Sequence, residues 1–361
     1  MLILTCFYKN DLDWLHMIGY YMGRFSSVYK PEVVFCLTGC CCNVKMPNFV
    51  QIFGRLKSVV IGMIHLKALP GIAINTVCIV VSALERQSSP GCTKPIKEII
   101  STACYEADMY QSADVDGILI ENMFDIPWQR PEQIGPETVA SITAACTAIK
   151  KTIRSLPIGV HVLAGGNKEA LAIAKAAGLQ FIRAEGYVFS HVGDEGLHHS
   201  CAAELTRYRC HIGAEDVHIF TDIKKKHCAH AITSDVSIGD TAKAAELFLS
   251  DGVVVTGTAT GVASDTADLQ EVQQAVSIPV LVGSGVTETN LSDYMSAEAM
   301  IVGTHFKMAG DIRNTVDKNR VKQFMAKVRE LRKEQKQPAE KTTAEYETPY
   351  WSSFHVHAEG E

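Results

Sequence analysis

From Phe49 onward, short apolar runs alternate with longer segments of helical period. Runs at 59–66, 117–122, 158–164, 181–186, 217–224 and 253–261, with two more opening at Pro279 and Ala299, are rich in Val and Ile and read as strands. Between them, 96–110, 136–153, 167–178, a stretch around 200–211, 239–252, 265–276, 287–295 and 317–333 read as helices. Pro136 suits a first helical turn, and Asn167 and Gly178 open and close the third helix. The strands are almost continuously apolar, as expected when both faces are buried. Eight such βα units in regular succession predict an α/β fold, a closed (βα)8 TIM barrel, over an open doubly wound sheet. No GxGxxG follows the first strand, which also argues against a dinucleotide fold.

Three stretches fall outside this rhythm. Residues 1–48 carry aromatics and Cys40-Cys41-Cys42 without a clean period and read as a poorly specified extension. The barrel domain is expected over 49–333, interrupted by an atypical insertion at 71–95. Residues 334–361 are polar and read as a mobile tail.

Composition narrows the function classes. Hydrophobic residues are 47% of the 361 and charged residues 20%, which suits a soluble globular protein with a large core. The net charge of −6 comes without a dominant basic patch, so nucleic acid is not an expected partner. No apolar run is long enough to span a membrane. The twelve cysteines show no CxxC pair and read as reduced thiols of an intracellular protein. A cytoplasmic location is expected, with a mitochondrial one left open, as is assembly into a homo-oligomer.

Barrel enzymes carry their chemistry at the C-terminal ends of strands. The polar residues found there are His65 and Lys67, then Glu121, Asn122 and Asp125, then His161. Arg183 and Glu185 follow at period two, so both should face one side of the sheet. Asp222 ends the fifth strand ahead of Lys226 and His227, Thr256-Gly257 ends the sixth, and Lys307 follows the eighth. These charges could form a solvated rim, and Arg183 could be satisfied by Glu185 or Glu121. Gathered at one mouth, they supply acid, base and cation. Glu121, Asp222, Lys226 and His227 are the candidate catalytic residues. His65, Asn122, Arg183, Glu185, Thr256 and Lys307 are candidate substrate ligands. The last two strands end in Gly283-Ser284-Gly285 and Gly303-Thr304, and such turns can present bare amides to an anion. They are the candidate phosphate site for a phosphorylated small molecule. Neither a metal nor a cofactor is expected; the loop histidines 191, 198 and 199 read as solvated. The GxSxG, HExxH and P-loop motifs are absent.

The strings VIGMIHLKALPG, DGILIENMFDIPW, EGYVFSHVGDEG, VTGTATG, VLVGSGVT and MIVGTHFK followed by NTVDKNRV resemble the BtpA family over about residues 50–333. The matching positions are His65, Pro70, Gly71, Glu121, Asn122, Asp125, Pro127, Asp222, Lys226, His227, Thr256, Gly257, the two glycine turns and Lys307. The resemblance implies a barrel of the ribulose-phosphate-binding type. It also implies an alternative function, because a cyanobacterial member is described as supporting photosystem I proteins: a non-catalytic biogenesis or stability factor.

Overall fold

The computed structural model describes residues 49–69, 94–153 and 155–334. The expectations for 1–48, for the insertion up to residue 93, for Pro70-Gly71 and for the tail from 335 lie outside the described residues. The chain opens with α1 (Phe49–Phe53). Eight strands then form the closed barrel: β1 (Val59–His65), β2 (Gly117–Glu121), β3 (Ile158–His161), β4 (Phe181–Ala184), β7 (His218–Ile223), β9 (Gly252–Val255), β10 (Val280–Val282) and β11 (Ala299–Val302). All neighbouring pairs are parallel, and β1 pairs with both β2 and β11, which closes the sheet. The outer helices are α2 (Ile96–Ser112), α3 (Pro136–Thr152), α4 (Asn167–Ala177), α5 (Ala202–His211), α6 (Ile238–Leu247), α7 (Thr266–Ala275) and α8 (Lys318–Glu334). The TIM barrel expected from the apolar rhythm is therefore the observed fold. Among the described residues, no helix is long and apolar enough to cross a membrane.

Alternate residues along each strand separate two cores. Val60, Ile118, Val160, Ile182, Ile219, Val253 and Val282 face the helices. Val59, Ile61, Met63, Leu119, Phe181, Phe220, Val254, Leu281 and Ile301 fill the barrel interior. The bottom of that interior is closed by α1. Phe53 lies against Phe181 and Phe220 at ring separations of 5.6 and 6.5 Å, and Phe49 against Phe220 at 6.1 Å.

Several boundaries differ from the sequence expectation, each for a local reason. The strands stop one to six residues early because their last residues leave the strand ladder for the loops of the mouth; 253–261 ends at Val255. The helix expected over 239–252 ends at Leu247, and Leu249 takes φ 69°. The helix expected over 287–295 is a single 3-10 turn, Leu291–Tyr294. Two features have no counterpart in the periodicity. One is α1, at five residues too short to show a period. The other is a small antiparallel sheet in which β5 (His191–Gly193) pairs with β6 (Gly196–His198) and with β8 (Cys228–Ala229).

Candidate functional site

The period-two rule that fills the barrel also builds its mouth. Two residues beyond an interior position on each strand the next inward residue is polar or glycine. Met63 leads to His65, Leu119 to Glu121, Gly159 to His161 and Phe181 to Arg183 and then Glu185. Phe220 leads to Asp222, Val254 to Thr256, Leu281 to Gly283 and Ile301 to Gly303. The parallel register sets His65 beside Glu121 and Glu121 beside His161. Above this layer opens a cavity of about 290 Å³.

One end of the cavity is a row of buried charges. Glu121 Oε2 lies 2.7 Å from His161 Nδ1, and His161 Nε2 lies 3.5 Å from Glu185 Oε1. Glu185 Oε2 meets Lys225 Nζ at 2.9 Å and accepts the Gly165 amide at 3.1 Å. The sequence along the row is carboxylate, imidazole, carboxylate, ammonium. Burial alone would discharge His161, but its hydrogen bond to Glu121 and the close charge of Glu185 outweigh that and raise its pKa above the ordinary 6.5. Burial likewise opposes Glu121, yet the hydrogen bond and charge of His161 hold it down at about 2. Against the same burial, the charge of Lys225 and the contact with His161 keep Glu185 well below the usual carboxylate range. His65 Nε2 is 4.0 Å from Glu121 Oε1. Burial, reinforced by the charge of Lys307, takes His65 to about 3, so its ring is neutral.

Lys226 lines the same cavity in a different state. Its amide is anchored on Thr256 Oγ1 at 3.0 Å, but its Nζ has no hydrogen-bond or ion-pair partner among the described residues. Burial, then the charge of Arg183, lowers its pKa. His227 also lines the cavity, with Nε2 2.9 Å from Thr260 Oγ1.

The other end is made of turns. Gly261, Ser284 and Gly285 line it, and their amides have no acceptor among the described residues. Gly285 sits at φ 67°, and a Cβ there would fall 2.2 Å from the Ala263 nitrogen, so only glycine fits. Gly303 is as close-packed on the other side, where a Cβ would meet His65 Cε1 at 2.9 Å. Thr304 and the α8 residue Arg320 complete this end; Arg320 Nε donates to the His305 carbonyl at 2.8 Å.

Four candidate residues from the sequence lie elsewhere. Asp222 does not line the cavity. Its carboxylate is gripped by Arg183 Nε and Nη2 at 2.8 Å each, which is the counter-charge that lets Arg183 be buried. Arg183 thus pairs with Asp222, not with Glu185 or Glu121. Asn122 is a brace: its Oδ1 accepts the Leu163 amide at 2.7 Å and its Nδ2 donates to Asp125 Oδ2 at 3.0 Å. Thr256 holds the Lys226 amide. Lys307 is 1% exposed and turned away, with Nζ 2.9 and 3.0 Å from the Glu106 oxygens of α2.

The structure adds His161, Lys225, Glu195, Trp128 and Arg320 to the cavity wall. His161 is legible from its inward parity on β3. Glu195 and Lys225 arrive through the small antiparallel sheet and its neighbouring turn, and Arg320 through the docking of the last helix, which no local pattern reveals. The same sheet buries His191 and His198, stacked at 5.1 Å, where the sequence expected solvated histidines, and leaves only His199 of the three exposed.

A model of the BtpA family matches residues 56–330. An uncharacterised protein of Caenorhabditis elegans, named as mitochondrial, is 41% identical, the match covering 78% of this chain and 97% of that one. The photosystem I biogenesis protein BtpA of Synechocystis is 32% identical, covering 63% of this chain and 78% of that protein. Among solved structures, orotidine 5'-monophosphate decarboxylase from Methanocaldococcus jannaschii superposes with a TM-score of 0.45 and 11% identity, covering 76% and 99% of the two chains.

Proposed function

The chain belongs to the BtpA family, and from that premise and the two-ended mouth we propose that it binds a phosphorylated small molecule and performs proton-transfer chemistry on it, of the isomerase or lyase type. The single observation that carries this is one cavity with amides that have no acceptor among the described residues and Arg320 at one end, and the Glu121–His161–Glu185 row at the other. Ser284, Gly285, Gly303 and Thr304, with Gly261 and Arg320, take the phosphate, whereas Gly283, whose amide donates to the Val255 carbonyl at 2.8 Å, only lines the cavity beside them. Glu121 is the base and His161 the acid that exchange the substrate proton. Arg183 and Glu185 orient the polar groups of the ligand, and Asp222 holds Arg183 in place. His65 donates no charge and shapes the floor. The nematode relative is named as mitochondrial, and the same compartment is proposed here.

Thermal shift against sugar and nucleoside phosphates tests the reading. A fitting ligand at a hundred times its Kd should stabilise the fold by about 2.7 kcal/mol. The response should be lost in Gly285→Asp and weakened in Arg320→Met, which leaves the turn intact. No stabilisation by any phosphorylated compound would overturn the reading. A purely scaffolding role, suggested by the name of the Synechocystis relative, does not require three buried ionised side chains in a row. It would be favoured if cellular phenotypes survived Glu121→Gln unchanged.

A further inference from the structure

We infer that Lys226 is the nucleophile of this site, adding through Nζ to the aldehyde or ketone carbonyl of the phosphorylated substrate to form an imine. The inference rests on the phosphate reading of the glycine turns and names the substrate class: a phosphate ester that also carries a carbonyl.

Most cations of the mouth are already engaged. The mouth holds Arg183, Lys225, Lys226 and Arg320 with the carboxylates of Glu121, Glu185 and Glu195, and Arg320 is tied to the His305 carbonyl. Arg183 is closed on Asp222 by two bonds, and Lys225 on Glu185 by one. Lys226, the next residue, lies in the same acidic surroundings and has no such partner among the described residues. A lysine kept for charge balance would rest on a carboxylate, as Lys225 does. The backbone holds Lys226 apart on purpose-built geometry. Lys224 and His227 on either side take φ 45° and 58°, and the Lys226 amide is fastened to Thr256. His227 in turn is tied to Thr260, the neighbour of Gly261 at the anion end. Lys226 therefore lines the one cavity that the segment assigned to phosphate and the Glu121–His161 row share.

The chemistry follows from that position. A lysine amine attacks only when unprotonated, and burial together with the charge of Arg183 favours that form. The neutral amine adds to the carbonyl carbon, and nitrogen passes a proton to the oxygen, leaving a carbinolamine. The His161 imidazolium protonates the hydroxyl, which departs as water while the nitrogen lone pair forms the C=N bond. One carbonyl, one amine and one proton give one iminium and one water. The iminium then accepts electrons from a bond at the adjacent carbon, with Glu121 and the now neutral His161 able to receive the proton.

The test uses the full chain with two phosphorylated aldehydes, glyceraldehyde 3-phosphate and pyridoxal 5'-phosphate, and sodium cyanoborohydride to reduce any imine. Adducts are mapped by peptide mass spectrometry. The expected result is a reduced adduct on Lys226 roughly tenfold above that on Lys225 or any exposed lysine, because Lys225 is held charged by Glu185 and Lys226 is not. Pyridoxal without its phosphate should label Lys226 far less. Adduct formation should rise with pH at a lower midpoint than for an exposed lysine, in the combined field of Arg183, Glu121, Asp222 and Glu185. Lys226→Arg should abolish the adduct and retain thermal stabilisation by the phosphate compounds. Labelling spread evenly over lysines, or unchanged total labelling in Lys226→Arg, overturns the inference. Stabilisation by phosphate compounds with no adduct on Lys226 overturns the imine alone and leaves phosphate binding standing. An adduct on Lys226 indifferent to the phosphate group overturns the substrate class and the phosphate site together.

Discussion

His161 and Glu121 show how a buried pair sets its own pH window. Glu121 is held at about 2 instead of 4.5, so its contribution to stability is complete above about pH 4.5 and is lost as pH falls through 2. His161 is shifted upward, so its contribution is complete below about 6.5 and is lost as pH rises through its folded value. Both are whole only between about pH 4.5 and 6.5. Wild type is therefore expected to exceed Glu121→Gln in stability by the most in that window, on the order of 3 kcal/mol. Urea unfolding of the two proteins across pH measures this, and a difference that is flat from pH 2 to 8 would contradict the pairing. Glu121→Gln should also cut turnover roughly 100-fold or more, while phosphate-dependent thermal stabilisation persists.

Elements contribute to different ends of the barrel. The short helix α1 plugs the bottom with Phe49 and Phe53, whereas the turns after β10 and β11 build the top. Phe53→Ala removes a ring packed on Phe181 and Phe220 and should cost about 3–5 kcal/mol. Because the plug and the mouth are at opposite ends of the strands, ligand-induced stabilisation should be unchanged in that variant. Equilibrium unfolding with and without a stabilising phosphate compound separates the two effects. The antiparallel sheet β5–β6–β8 belongs to the mouth. It carries Glu195 to the cavity and packs His198 against Gly165, where a Cβ would meet its Nδ1 at 3.1 Å. Neither α1 nor this sheet is long enough to leave a periodic signature, so both are silent in the sequence although both shape the barrel.

Closure of the whole molecule depends on contacts that join its beginning and end. Lys307, after the last strand, is clamped by Glu106 of α2, 201 residues earlier. Glu106 Oε1 also accepts the Val316 amide at 3.0 Å. Lys307→Met would strand a buried carboxylate and should cost about 3–5 kcal/mol, whereas Lys307→Met with Glu106→Gln should recover most of the loss. A double-mutant cycle on unfolding free energy decides this, and additive effects would rule out the clamp. The amino-acid sequence determined the eight barrel strands, the two glycine turns and the inward parity of His65, Glu121, His161, Arg183 and Glu185. Those properties are local, set by the pleat of a strand and the stereochemistry of a turn. Only the tertiary structure decided the partners: Arg183 takes Asp222, Lys307 leaves the mouth for Glu106, and Lys226 is left without a counter-ion among the described residues. Partner choice follows from strand register and from the docking of α2 and α8 around the closed sheet. Those relations span the length of the chain, and no stretch of sequence contains them.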